Sequence, residues 1–159
     1  MFIIDGNNLL WAVDGTSEGP SEITDVGLCR AVGGYLKQIG QTGEVIFDGT
    51  GPRDKSDFDN IDGVEVLFAG FGTDTDTVIE GKIDANTAPR SLTVVSSDRR
   101  LRKAARIRRA NSVKSEVFWV ELQRELGKKK RIAREPNGKK HGISEGETEQ
   151  WLEFFGIEE

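Results

Sequence analysis

The sequence predicts an α/β protein built on a mainly parallel sheet, and three observations carry that prediction. Apolar runs end on, or shortly before, an acidic residue four times: Phe2-Ile3-Ile4-Asp5, Val45-Ile46-Phe47-Asp48, Val64 to Phe68 leading to Asp74 and Asp76, and Leu92 to Val95 followed by Ser96-Ser97-Asp98. The stretches between these runs carry apolar residues at helical spacing. Leu92 to Val95 is almost continuously apolar, as a central strand covered on both faces requires. Strand-helix-strand units lay their strands parallel, and residues just past the carboxyl ends gather on one edge, where open α/β sheets bind ligands.

Each element follows in order. Residues 2–5 form a short buried strand, and Gly6-Asn7-Asn8 is expected to turn the chain toward Leu9, Leu10 and Trp11. After a Gly/Ser/Pro-containing loop, Val26, Ala31, Tyr35, Leu36 and Ile39 approximate a helical stripe, although Gly33-Gly34 weakens it by helix propensity. Glu44 to Asp48 is the second strand and Gly49-Thr50-Gly51-Pro52 a loop. Val64 to Phe68 is the third strand. Thr73-Asp74-Thr75-Asp76 offers N-caps to a helix whose apolar side is Val78, Ile79 and Ile83, ending by Asn86 to Arg90. Ser97 or Asp98 caps the next helix, with Leu101, Ala104 and Ala105 on one side. A last strand is expected at Val113 to Ser115 and a closing helix at Val117 to Leu126. The boundaries expected are a domain over residues 1–126 and an appendage over residues 127–159, in which the Lys128 to Lys140 run is a linker. Beyond it, Ser144 and Glu147 make a capping box for a short amphipathic helix with Trp151, Leu152 and Phe155.

Bulk composition narrows the chemistry. A chain of 159 residues has room for one proper core. It enters an apolar strand with no basic lead, and no apolar stretch approaches bilayer length, so a soluble, cytoplasmic protein is expected. Cys29 is the only cysteine and is expected in the core; His141 is the only histidine. Thiolate zinc clusters and histidine triads are therefore disfavoured, and a metal would be held by oxygen. The net charge of −5 disfavours phosphate binding, but residues 98–110 and 128–140 each hold seven basic residues, concentrating fourteen of the twenty-two Lys and Arg.

The acids are the candidate site. Gathered at one edge, Asp5, Asp76 and Asp98 repel unless they protonate or share a cation, and a hard divalent ion suits an all-carboxylate cluster. Asp76 and Glu80 lie four apart on one helical face, where a bound cation would offset their repulsion. Glu80 as a solvated helix residue and Asp74 as a cap are equally open readings. Trp11 and Trp119 are expected in or near the core, and no aromatic stacking platform is evident along the sequence. Arg99, Arg100, Arg102, Lys103, Arg106 and Arg109 spread over one side of the helix after Asp98. They suit contact with a nucleic-acid backbone or, as the competing reading, an ordinary solvated face.

Ile4-Asp5-Gly6-Asn7-Asn8-Leu9, Val45-Ile46-Phe47-Asp48, Asp74 to Glu80 and Val95-Ser96-Ser97-Asp98 stand in the order of a known family. Over residues 1 to about 122 the chain resembles the YacP-like NYN domain proteins, relatives of PIN-domain ribonucleases. That resemblance implies a three-layer α/β/α sandwich and a Mg²⁺- or Mn²⁺-dependent endoribonuclease. Position by position, it implies Asp5 as the first acid, Asn8 as the motif's Asn, and Asp48 as the acid after the second strand. Asp76 is then the central ligand with Glu80 behind it, and Asp98 the last acid. Asn7 departs from the family's common Tyr and Asp74 is an additional acid. The expected mechanism has Asp5, Asp76 and Asp98 holding one ion, directly or through water, with Asp48, Asp74 or Glu80 assisting a second and Asn8 orienting a carboxylate or phosphate. The expected partner is single-stranded or flexible RNA, with ribonucleoprotein or ribosome association as a further option. Two competitors stay open: a non-catalytic RNA-binding scaffold of the same fold, and another phosphate-handling α/β hydrolase. The second is weakened by the lack of a P-loop and of a second aspartate two residues after Asp5.

Overall fold

Strand β1, Phe2–Asp5, lies inside a sheet whose order is β3-β2-β1-β4-β5, with β2 at Gly43–Phe47, β3 at Val64–Phe68, β4 at Thr93–Val95 and β5 at Asn111–Val113. A computed structural model gives this arrangement and describes residues 1–16 and 23–134, with side chains through 128. All four strand pairings are parallel, as expected. The chain runs outward from β1 through β2 to β3, then returns to the other side of β1 for β4. The strand order therefore reverses between β1 and β4, and the crevice at such a switch point is where open sheets accept ligands.

Register assigns the faces. Ile3 pairs with Val94 and Glu44, which places Ile3, Glu44 and Val94 on one face, with Asp5 and Ile46 two residues on. That face is covered by α4, Thr75–Ala85, and α5, Arg99–Ile107: Ile79, Ile83, Leu101 and Ala105 pack with Ile3, Ile46 and Val94 in one buried cluster. Lys82 of α4 reaches Glu44 at 3.1 Å across the same face. The opposite face carries Phe2, Gly43 and Val45. It is met by Leu36 of α2, Asp25–Gln38, and by Phe118, whose ring centroid lies 5.9 Å from that of Phe2 and 5.4 Å from that of Tyr35. Helices on both faces make the expected three layers. Fully burying Leu- or Ile-sized side chains contributes roughly 1.5–3 kcal/mol each; Ile3, Ile46, Ile79, Ile83 and Leu101 are all at or near zero exposure.

One expectation about the start of α1 needs correction. Gly6-Asn7-Asn8 is not a turn: helix α1, Gly6–Thr16, begins directly after Asp5. A Cβ at Gly6 would sit 2.6 Å from the Phe47 ring, so only glycine lets the helix start this close to β2. Helix α2 forms as expected despite Gly33-Gly34, and at Gly33 the missing side chain admits Ile61, whose Cγ2 would be 2.8 Å from a Cβ there.

Smaller differences occur at the ends of elements. A short helix α3, Ser56–Asp59, buries Phe58, and a 3-10 turn spans Pro89–Ser91. Strand β5 lies two residues earlier than expected, at Asn111–Val113. Helix α6, Ser115–Arg134, runs past the expected end at Leu126 and through the first residues of the basic run. Cys29 is buried, as expected. Contacts divide the chain into Met1–Trp119 and Val120–Glu159. The described part of the second unit is helical, with Glu121–Arg124 and Glu125–Lys128 ion pairs. The remainder of the Lys128 to Lys140 run, His141, and the expected helix with Trp151, Leu152 and Phe155 lie outside the described residues. No helix among the described residues is long and apolar enough to cross a membrane.

Candidate active site

The carboxyl ends of β1 and β2 open into a depression of about 330 Å³, lined by Asp5, Asn7, Asn8, Trp11, Asp48, Asp74, Thr75 and Asp76. Four of the six predicted acids thus meet. Register explains the first: Asp5 follows Ile3 on the α4/α5 face, beside Ser96 at the end of β4, and Ser96 Oγ donates to Asp5 Oδ2 at 3.2 Å. The backbone N–H of Asn8, in the first turn of α1, donates to Asp5 Oδ1 at 3.3 Å. Asp5 is only 6% exposed. Burial pushes its carboxyl up to about 6, and the charges of Asp76 and Asp48 add to the rise; the two hydrogen bonds oppose it without cancelling it.

Helix α4 delivers the next pair. Asp74 caps it, accepting from the N–H of Thr77 at 2.7 Å, and hydrogen bonding from the Thr77 side chain and then from its N–H holds the exposed Asp74 carboxyl below its ordinary range. Asp76, in the first turn, is partly buried. Its carboxyl is raised first by burial and then by Asp98, Asp74 and Asp48, with Arg100 pulling the other way. Asp48 is turned toward the helix start: its Oδ1 accepts from the Thr75 N–H at 3.1 Å and from the Thr75 hydroxyl. Its own N–H donates to Asn7 Oδ1 at 2.7 Å, which fastens α1 to the end of β2.

Asp98 and Glu80 do not line the depression. Asp98 caps α5, accepting from the Arg100 N–H at 2.8 Å, yet it stands close enough to Asp76 for its charge to be felt there. Glu80 is bound by Arg100, whose Nε donates to Oε1 at 2.8 Å with Nη2 on the same oxygen. Arg100 Nη1 lies 4.0 Å from Asp76 Oδ2. Of the predicted basic face, Arg100 is therefore a bridge from α5 to α4, whereas Arg99, Lys103 and Arg106 are exposed and Arg102 is half-buried. Arg108 turns inward and donates to the carbonyl of Asn86 at 2.5 Å, closing the C-terminus of α4.

Asn8 has a bracing role that differs from the expected turn. Its Oδ1 accepts from the Ser97 N–H at 2.9 Å and from Ser115 Oγ at 2.6 Å, joining the first turn of α1, the loop after β4 and the start of α6. Trp11 departs furthest from expectation: at 82% exposure it belongs to the wall of the depression and not to the core. Ser96, Thr75 and Ser115 have a role in the site that the sequence alone does not assign them. The Ser96-Ser97 pair directly after an apolar strand was the available signal for the first.

The acidic side chains suit a hard divalent cation: two of the carboxyls are raised first by burial and then by neighbouring carboxylate charge. Among the described residues no three Asp, Glu, His or Cys side chains converge as a ready-made cage. Mg²⁺ is commonly held by one or two carboxylates with waters and substrate oxygens completing its shell, so an open site of this kind fits it.

Comparison with known proteins agrees with the fold. Residues 2–155 match the YacP-like NYN domain. The structure of Rae1 (YacP) from Bacillus subtilis superposes with a TM-score of 0.69 at 19% identity, covering 98% of this chain and 92% of that one. A point mutant of the same protein gives 0.63 at 20% identity, covering 95% and 89%. No curated protein matches the chain. With the family matched over nearly its whole length, the chain belongs to the YacP-like NYN domain family and has the α/β fold seen in Rae1.

Proposed function

We propose that this protein is a divalent-metal-dependent endoribonuclease that hydrolyses RNA phosphodiesters at the acidic depression. The observation that carries the reading is the pairing of Asp5 and Asp76, two carboxyls raised by burial and by neighbouring charge, in one open depression at the carboxyl edge of the sheet. Membership of the NYN family supports nuclease chemistry and a Mg²⁺ or Mn²⁺ cofactor.

Asp5 and Asp76 would hold the ion, directly or through water, with Asp48 and Asp74 beside it in the depression. Bound there, a divalent ion supplies water activation at neutral pH and neutralises charge on the phosphate. Ser96 and the Asn8 N–H fix the rotamer of Asp5 so that its carboxylate faces the depression. Thr75 does the same for Asp48. Asn8 and Asn7 lock the first turn of α1 against the strand ends. Asp98 acts on Asp76 through its charge, and Arg100 limits the acidity of the far side by holding Glu80. Arg99, Lys103 and Arg106 offer an exposed basic face to the RNA backbone. No protein nucleophile is required.

The test is Mg²⁺- or Mn²⁺-dependent cleavage of RNA by the full chain and by Asp76→Asn. The variant is expected to lose at least about 1,000-fold in rate while its melting temperature stays at or above the parent's. Unchanged cleavage would remove the assignment. The approach of Arg100 Nη1 to 4.0 Å from Asp76 Oδ2 favours a second reading, in which an internal cation replaces part of the metal's role and the fold only binds RNA. RNA affinity without divalent-ion affinity would select it.

A further inference from the structure

Helix α1 spends its apolar residues unevenly. Leu9, Ala12 and Val13 enter the core at 0%, 7% and 5% exposure, while Trp11, its largest side chain, stays in solvent. An indole could bury far more area than any of these, so its position calls for a cause outside the core. Asn7, Asn8 and Trp11 occupy positions i, i+1 and i+4, on the side of the helix that borders the depression, and all three line it with Asp5, Asp48 and Asp76. The asparagine bonds to the Asp48, Ser97 and Ser115 groups immobilise that turn, so the indole is mounted on a rigid element. Among the described residues the large exposed aromatics are Trp11 and Phe71, and Phe71 lies in the loop that delivers Asp74. Nucleobases that are not paired present a face to such side chains, and stacking on them tolerates any sequence.

From this we infer that Trp11 is a stacking platform for an unpaired nucleobase of the strand whose phosphate lies against the acidic depression. Trp11 is then a positioning residue that selects single-stranded over duplex RNA; it takes no part in the chemistry. The inference rests on the RNA reading of the site, and the experiment separates the two.

Binding is measured on the full chain carrying Asp76→Asn, which leaves the probe intact, with a short oligoadenylate and with the same strand made abasic. Adding Trp11→Ala or Trp11→Leu should weaken oligoadenylate binding by about tenfold or more. Trp11→Phe should retain most of it, and all variants should bind the abasic strand alike. Equal binding of oligoadenylate by Trp11→Ala, an equal loss on the abasic strand, or rescue by Leu as good as by Phe would each overturn the platform. If the parent chain cleaves RNA while Trp11→Ala binds normally, stacking fails and the nuclease reading stands. If the parent cleaves nothing while base-dependent binding needs Trp11, the nuclease reading fails and the platform stands.

Discussion

Asp76 and Glu80 sit one turn apart on the same face of α4, and the protein treats them in opposite ways. Glu80 meets the Arg100 guanidinium head-on and lies outside the depression, so its charge is answered inside the fold. Asp76 is only grazed by Arg100, and instead faces Asp5, Asp48, Asp74 and Asp98 while losing water. The spacing that would let two carboxylates share a cation is therefore used for two purposes. The uncompensated charge is confined to the first turn of α4 and the end of β1. Under the proposed function a cation would bind there and nowhere else along the helix.

The largest expected effect that would break this contrast is at Asp5. A buried carboxyl raised to about 6 is penalised in its charged form. The penalty is absent below the ordinary aspartate value near 4, grows through the interval, and is complete above about pH 6. Asp5→Asn should therefore stabilise the metal-free fold by up to about 3 kcal/mol at pH 8 and leave it unchanged at pH 4. Chemical denaturation at the two pH values in chelator measures this. A variant that is destabilised at pH 8 would mean that the carboxylate is already well satisfied within the protein. Added Mn²⁺ should raise the melting temperature of the parent at pH 8 and have little effect on Asp5→Asn.

The contrast also marks what was legible beforehand. The parallel sheet, the order of acids and the meeting of Asp5, Asp48, Asp74 and Asp76 follow from local signals, because strand ends and helix caps are written in adjacent residues. The Asp74 and Asp98 caps were visible for the same reason. What escaped detection depends on contacts between residues distant in sequence. Nothing near Glu80 shows that Arg100, twenty positions on, will bind it. Nothing near Trp11 shows that Leu9, Ala12 and Val13 will fill the core without it. Gly6 looked like a turn residue because glycine's permissiveness is local knowledge, whereas its actual cause, the Phe47 ring, comes from another strand. The Asn8 brace was hidden likewise, its partners Ser97 and Ser115 being supplied by later elements.

A smaller effect is expected at Asp74, which lines the depression but has its carboxyl lowered by the cap it makes. Asp74→Ala should cost the helix its N-cap and lower the melting temperature by about 2–4 °C. Asp74→Ser, which keeps a capping oxygen without the charge, should restore most of that. If Asp74 also serves the ion, Ser will rescue stability but not cleavage. Equal rescue of both would limit Asp74 to its structural role.

The smallest effect sharpens the contrast most. An exposed ion pair stabilises little and is screened by salt, so Arg100→Gln and Glu80→Gln should each shift the melting temperature by about 1 °C or less at high ionic strength. Their consequences for the site should differ. Glu80→Gln frees the guanidinium to turn toward Asp76, 4.0 Å away, and should weaken Mn²⁺ binding by competition. Arg100→Gln removes the only cation near Asp76 among the described ion pairs and should strengthen it. In the double variant the competing guanidinium is gone, so Mn²⁺ affinity should follow Arg100→Gln, and that non-additivity would identify Glu80 as the residue that keeps Arg100 out of the depression. Additive changes in metal affinity would instead mean that Glu80 and Arg100 act on the ion independently, and the division of α4 into a satisfied and an unsatisfied turn would be lost.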